Sequence, residues 1–190
     1  MGTPLLTNIL FSLTLLIFST LLSPSLSELC NPSDKKVLLQ IKKAFNDPYV
    51  LTSWKPDTDC CTQWYCVTCA EGGDHRIDSL SVVTGSLSGP IPPQIGDLPY
   101  LETLDLHKQA NLTGPIPKEI TKLKKLRFLR MNWNNLTGPV PGFLSELENL
   151  EFLDLSFNNL SGSLPSSLAK MPNLRLSTDK EIAFFFFSCC

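Results

Sequence analysis

The 190-residue chain is short of histidine, nearly neutral in charge and, beyond residue 27, without a long apolar run. Each shortage removes a class of function. His75 and His107 are the only histidines, and no nucleophile motif surrounds either, so no enzyme is expected. A formal net charge of −2 gives no electrostatic footing for nucleic acid or an anionic membrane. One CxxC, Cys66-Val67-Thr68-Cys69, is joined by no second CxxC and no HxxxH, so a tetrahedral zinc shell cannot be completed; no metal or cofactor is expected. After residue 27 the longest apolar stretch, Ile182–Phe187, is far too short to span a bilayer, which leaves at most peripheral membrane association.

The first 27 residues are different. Leu5–Leu22 carries no charge, and Ser25-Leu26-Ser27 places small residues at the −3 and −1 positions before Glu28. This predicts a secretory signal peptide over 1–27, although Lys and Arg are missing from its start; an uncleaved membrane anchor is the competing reading. Secretion makes the seven cysteines legible. Cys30, Cys60, Cys61, Cys66 and Cys69 read as a disulfide framework whose connectivity spacing leaves open; Cys189 and Cys190 have no expected partners.

Four segments beginning at Ile77, Leu101, Leu126 and Leu150 align, with starts 24, 25 and 24 residues apart. Their shared pattern, LxxLxLxxNxLxGxIPxxLxxLxx, has the period and spacing of the leucine-rich repeat. The LxL alternation predicts one short strand per repeat, with Leu104/Leu106, Leu129/Met131 and Leu153/Leu155 facing inward. Leu112, Ile116, Ile120 and Leu123 fill the interior of the second repeat. A single repeat cannot bury its own apolar face, so neighbours must stack. The Gly-x-Ile-Pro element, at Gly89–Pro92 and its three counterparts, supplies a tight bend and resembles the plant-type repeat, in which it adds a second short strand.

Before the repeats, Asn31 and Pro32 mark a helix start. Val37, Leu38, Ile41, Ala44 and Phe45 form its apolar stripe, and Asn46-Asp47-Pro48 ends it. Trp54 and Trp64 are expected to fill the core of this cap. At the other end, Leu174 opens a fifth repeat, but Ser177 and Asp179 fall where the strand leucines belong. The expected fold is therefore an α/β leucine-rich repeat solenoid. A parallel β-sheet lines its concave face, a second plant-type strand follows in each repeat, and the N-terminal cap is helical and disulfide-bonded, with no C-terminal cap. Its divisions are a signal peptide at 1–27, the cap at 28–76, four repeats at 77–173, and an incomplete repeat with an aberrant tail at 174–190, read as a truncation.

ELCNPSDKKVLLQIKKAFNDPYVLTSWKPDTDCC, then WYCVTC, then GDLPYLETLDLHKQANLTGPIP closely resemble the plant polygalacturonase-inhibiting proteins from Glu28 to about Leu174. Receptor kinases share the repeat, but their caps more often read CxWxGVxC. The resemblance implies an extracellular defence protein of the plant cell wall that inhibits fungal polygalacturonases by covering the substrate cleft with its concave face. It also implies disulfides Cys30–Cys60 and Cys61–Cys69. A receptor-like ectodomain fragment that binds a peptide or co-receptor is the alternative, as is a truncated product without activity.

The residues flanking the inward leucines form outward columns about 4.8 Å apart per rung. One is Ser81, Asp105, Arg130, Asp154; the next is Val83, His107, Asn132, Ser156; on the other flank stand Ser79, Thr103, Phe128, Phe152. Phe128, Phe152 and Trp133 are candidate apolar anchors rimmed by these polar groups. The competing reading of Arg130 between two aspartates is an exposed ion-pair ladder. That placement also sets neither aspartate apart as a glycosidase acid. Lys118, Lys122, Lys124, Lys125 and Arg127 read as a solvated face, with pectin binding as the functional alternative. Asn134 and Asn158 are the repeat asparagines, expected to be buried and to bond backbone. Their neighbours Asn135 and Asn159, with Asn111, head N-x-[ST] sequons and are expected glycosylation sites. The protein is expected to be a monomer.

Overall fold

The computed structural model describes residues 29–83 and 85–177. The signal peptide expected over 1–27, Cys189, Cys190 and most of the tail expected to be aberrant lie outside the described residues. Helix α1 (Pro32–Ala44) starts as expected: Asn31 Oδ1 accepts from the backbone N–H groups of Ser33 (3.0 Å) and Asp34 (3.4 Å), and Pro32 holds the first turn. It ends where Asn46 and Asp47 take φ values of 59° and 51°. Leu38, Ile41 and Phe45 are buried, but Ala44 is exposed, and Asp34 takes the fourth inner position. A carboxylate can lie there because it is fully engaged. It accepts from Arg76 Nε at 2.9 Å, Arg76 Nη2 at 2.7 Å and Ile77 N at 2.9 Å.

The cap carries both implied disulfides, Cys30–Cys60 and Cys61–Cys69. Trp54 and Trp64 are buried and stacked at 5.4 Å. Their indole N–H groups donate to Tyr65 O and Thr58 Oγ1, so both rings fill core without stranding a donor. Asp59 fastens the disulfide corner. Its carboxylate accepts from the N–H groups of Leu29 (2.6 Å), Cys30 (3.0 Å), Cys61 (2.9 Å) and Thr62 (3.0 Å). Burial pushes this carboxyl up, but the hydrogen bonds from Cys30, Leu29, Thr62 and Cys61 outweigh it and hold the group below its ordinary value. A depressed folded-state pKa gives stability that is complete above the unfolded value and lost as pH falls through the folded one. Denaturant midpoints measured from about pH 6 downward should therefore fall below about pH 4, and Asp59→Asn should flatten that dependence. An unchanged profile in the variant rules the role out.

Strand β1 (Val67–Cys69) pairs antiparallel with β2 (Ile77–Ser81) and closes one edge of the concave sheet. The rest is parallel: β2, then β4 (Thr103–Asp105), β6 (Phe128–Arg130), β8 (Phe152–Asp154) and β10 (Arg175–Ser177). Leu80, Leu104, Leu129 and Leu153 stand in register and are buried. The second sheet is β3 (Ser88–Pro90), β5 (Asn111–Gly114), β7 (Asn135–Pro139) and β9 (Asn159–Ser161). Gly89, Gly114, Gly138 and Gly162 leave this sheet's strands at φ of 75° to 88°, a region that disfavours side chains. 3₁₀ turns at Pro93–Asp97, Lys118–Lys122 and Gly142–Glu146, then the short helix α2 (Ser166–Ala169), form the return arm.

The fifth strand corrects the alignment by one residue. Leu176, not Ser177, pairs with Leu153, at a separation of 23 rather than 24. An apolar side chain must face the core, and Leu176 is the one within reach, so the register slips to use it. Leu174 and Leu176 are half-buried against the core.

The asparagine ladder is present, though half-buried rather than buried. Asn134 Nδ2 donates to Leu106 O (2.8 Å) and Met131 O (2.9 Å), and its Oδ1 accepts from Gln109 N at 2.7 Å. Asn158 repeats the pattern with Met131 O and Leu155 O. In the second repeat the rung is Gln109, fully buried, which donates to Val82 O and accepts from Leu87 N. The longer amide spans the extra residue that makes this repeat 25 long.

Candidate partner-binding face

Five positions expected to stand open on the concave face are in fact nearly buried: Asp105, His107, Asn132, Asp154 and Ser156, at 6–8% exposure. The cause is local. An aspartate at the end of a strand turns back on the residue two further along, an Asx-type turn. Asp105 Oδ1 accepts from His107 N (3.2 Å) and lies 2.6 Å from His107 Nδ1. Asp154 Oδ1 accepts from Ser156 N (3.0 Å) and from the Ser156 hydroxyl. The expected ladder through Arg130 thereby shrinks to one loose contact, Arg130 Nη1 to Asp105 Oδ2 at 3.8 Å. The third repeat has Arg130 where its neighbours have aspartate, so Asn132 lacks the partner that His107 and Ser156 have. Asn132 Oδ1 and Arg130 Nε are buried without a hydrogen-bond partner.

The open part of the face is aromatic. Phe128 and Phe152, in register on β6 and β8, stack with centroids 4.5 Å apart and planes within 8°. They wall a cleft of about 730 Å³ completed by Glu151, Pro172, Asn173, Leu174 and Arg175. Thr103, Arg130 and Ser81 are half-exposed beside them, and Val83 is exposed at 44%. Ser79 and Ser81 hydroxyls lie 3.2 Å apart at the cap end of the same face.

On the opposite margin Trp133 stacks on Phe157 at 3.9 Å, and each is 50% exposed. Phe157 and Lys108 escape sequence reasoning although each stands seven residues after its repeat start, as Trp133 does. Repeat phase alone would have found them. Arg175 is missed because its strand is out of phase.

Four of the five residues of the basic run are matched by partners within the chain. Lys122 pairs with Asp97 at 2.9 Å, Lys124 Nζ donates to Glu146 O, Lys125 lies 3.9 Å over the Tyr100 ring, and Arg127 bridges Glu151 and Glu102. This favours the solvated-face reading over pectin. The sulfurs of Cys30, Cys60 and Cys61 converge within 4.8 Å but belong to the two disulfides, so they are not the thiolates a metal needs. Cys66 is half-buried, and burial pushes its thiol up, away from the reactive thiolate. No helix among the described residues is long and apolar enough to cross a membrane.

Two sheets of repeat strands, parallel except at the β1 edge, with a disulfide-bonded cap define a leucine-rich repeat protein. The family model described as Leucine rich repeat N-terminal domain matches residues 31–70, and that described as Leucine Rich Repeat matches 125–147 and 149–171. The chain is homologous to plant polygalacturonase inhibitors. The one from Pyrus communis is 67% identical over 122 residues, 64% of this chain and 36% of that protein. The chain spans about a third of the length of the curated relatives it matches. Among solved structures, a plant ice-binding protein matches at TM-score 0.75 and 47% identity, over 78% of this chain and 48% of that one. The ectodomain of the Arabidopsis thaliana receptor kinase GASSHO1/SCHENGEN3, in complex with CASPARIAN STRIP INTEGRITY FACTOR 2, matches at TM-score 0.66 and 34% identity, over 74% and 17%.

Proposed function

We propose that this is an extracellular plant defence protein whose concave face binds a fungal polygalacturonase and covers its substrate cleft. The observation that carries the reading is the in-register Phe128–Phe152 stack. It is a flat apolar anchor on the concave sheet, bordered by Arg130 and Thr103 and continuous with an open cleft. Aromatic anchors ringed by polar groups are where binding energy concentrates. The inhibitor name borne by the homologues supplies the partner, and the disulfides suit a secreted chain. Asp105, His107, Asn132, Asp154 and Ser156 act in this reading by stiffening the floor. Ser81, Val83, Thr103, Phe128, Arg130 and Phe152 make the contact, and Trp133 stands on its far margin. Occlusion is steric, and the chain itself performs no chemistry on pectin.

The test is inhibition of a panel of fungal polygalacturonases, read as reducing-sugar release from polygalacturonate. The Phe128→Ala/Phe152→Ala variant should weaken inhibition at least about 30-fold, the equivalent of about 2 kcal/mol. Its far-ultraviolet dichroism and melting should show it folded. Full inhibition by the folded variant sinks the assignment. Absence of inhibition by the parent chain favours an inactive fragment. The receptor-like reading draws on the ectodomain match, and saturable binding of a plant peptide without inhibition would select it.

A further inference from the structure

Trp133 and Phe157 pose a problem the partner-binding reading does not solve. Each is bulky, half-exposed and held at positive φ, 58° and 53°. Lys108, at the same position of the second repeat, takes φ 57°, so this conformation belongs to the repeat turn; what sets the other two positions apart is a large exposed aromatic side chain. The next residues, Asn134 and Asn158, turn their amides inward onto backbone carbonyls. The residues after those, Asn135 and Asn159, are exposed, begin β7 and β9, and head the sequons Asn135-Leu136-Thr137 and Asn159-Leu160-Ser161. In both repeats the order is thus aromatic outward, asparagine inward, sequon asparagine outward. The third sequon is a built-in control. Asn111 follows Lys108-Gln109-Ala110, with one residue inserted and no aromatic side chain.

We propose that Trp133 and Phe157 are docking platforms for the chain's own N-linked glycans. The first N-acetylglucosamine on Asn135 lies on Trp133, and that on Asn159 on Phe157. A pyranose ring has one face made of C–H groups. Their hydrogens carry slight positive charge and meet the negative face of an aromatic ring, while the sugar hydroxyls remain in water. The stack of the two rings, with planes within 14°, leaves one outer face of each free, that of Trp133 toward the second repeat and that of Phe157 toward the fifth. Sugar laid on those outer faces would cover aromatic surface that otherwise stands open on a secreted protein. The inference rests on the secretory reading above.

The experiment uses the full chain secreted from a host that keeps its glycans high-mannose. Peptide mass spectrometry gives the occupancy of each sequon. One sample is trimmed to a single N-acetylglucosamine per site and a second is stripped completely. The trimmed protein should melt about 2–4 °C above the stripped one, as expected for aromatic contacts in a chain of this size. In Trp133→Ala/Phe157→Ala the difference should shrink to within about 1 °C. A second measurement needs no variant. In proton–carbon spectra the acetyl methyls of the sugars on Asn135 and Asn159 should be shifted upfield by the rings, and that on Asn111 should not. Occupied sites with unshifted methyls, or an equal melting difference in the variant, overturn the platforms and leave secretion standing. Vacancy at Asn135 and Asn159 with Asn111 occupied also overturns the platforms alone. Vacancy at all three overturns them together with the glycosylation expectation.

Discussion

Replacing Asp34 by Ala is expected to cost about 3–5 kcal/mol of folding stability, the range for removing one partner of a buried ion pair. Asp34 is 1% exposed and receives three donors, two from Arg76 and one from the backbone of Ile77. Alanine leaves the Ile77 N–H without an acceptor at the first residue of β2, and leaves the Arg76 guanidinium without its counter-charge. The loss reaches further than the cap. Arg76 lies 4.4 Å over the Tyr100 ring, whose surroundings also include Lys125 at 3.9 Å, so one carboxylate orders a chain of contacts from α1 to the second repeat. Urea or guanidinium unfolding of the oxidised chain measures the effect. Asp34→Asn should fall between wild type and alanine, because the amide keeps one acceptor oxygen for Ile77 but loses the charge. A loss below about 1 kcal/mol for alanine would mean that water replaces the carboxylate without penalty.

The second large effect is expected from Gly96→Ala, at about 3 kcal/mol or more. A Cβ on Gly96 would lie 2.2 Å from the carbonyl oxygen and 2.8 Å from the carbonyl carbon of Glu119, on the adjoining 3₁₀ turn. The obstacle is backbone, so no rotamer change relieves it. The turns Pro93–Asp97 and Lys118–Lys122 must separate, opening the return arm between the first and second repeats. Packed interiors transmit such a displacement rather than absorb it. Gly142→Ala is the control. Its Cβ would meet Ser167 Oγ at 3.5 Å, Pro165 Cβ at 3.6 Å and Pro165 Cγ at 4.0 Å, ordinary contact distances, and its effect should be small. Similar melting temperatures for the two variants would count against the close approach at Gly96.

Gly96 shows why part of this structure was hidden in the sequence. Its counterparts in the next two repeats are Thr121 and Ser145, so the repeat pattern does not mark the position as special. The need for glycine arises only when two turns, distant in sequence by a full repeat, are brought together. Asp34 is similar. From the sequence it is a polar residue in the first turn of a helix, where an acid is welcome. That it lies inside depends on Arg76, 42 residues later.

By itself the sequence determined the repeat, its phase and most of its core. The 24-residue period and the LxL alternation are local chemistry, repeated until only one stacking satisfies every apolar face. The same alternation determined the register of the outward columns, and local capping chemistry determined the Asn31 cap. The second strand came with the likeness to the plant-type repeat, and it lies mostly ahead of each Gly-x-Ile-Pro, as in Asn159–Ser161. The pairing of four cysteines came with the family likeness, and the cap geometry agrees with it. Tertiary structure alone decided which column residues remain available to a partner. Asp105 and Asp154 have outward positions, yet each spends its carboxylate on the residue two places ahead, so the polar columns became floor and the Phe128–Phe152 stack became surface. It also decided the fifth strand, where Leu176 displaced the position that counting assigned to Ser177. Periodicity fixes which way a side chain points, whereas its neighbours in space fix whether any of it is left to bind.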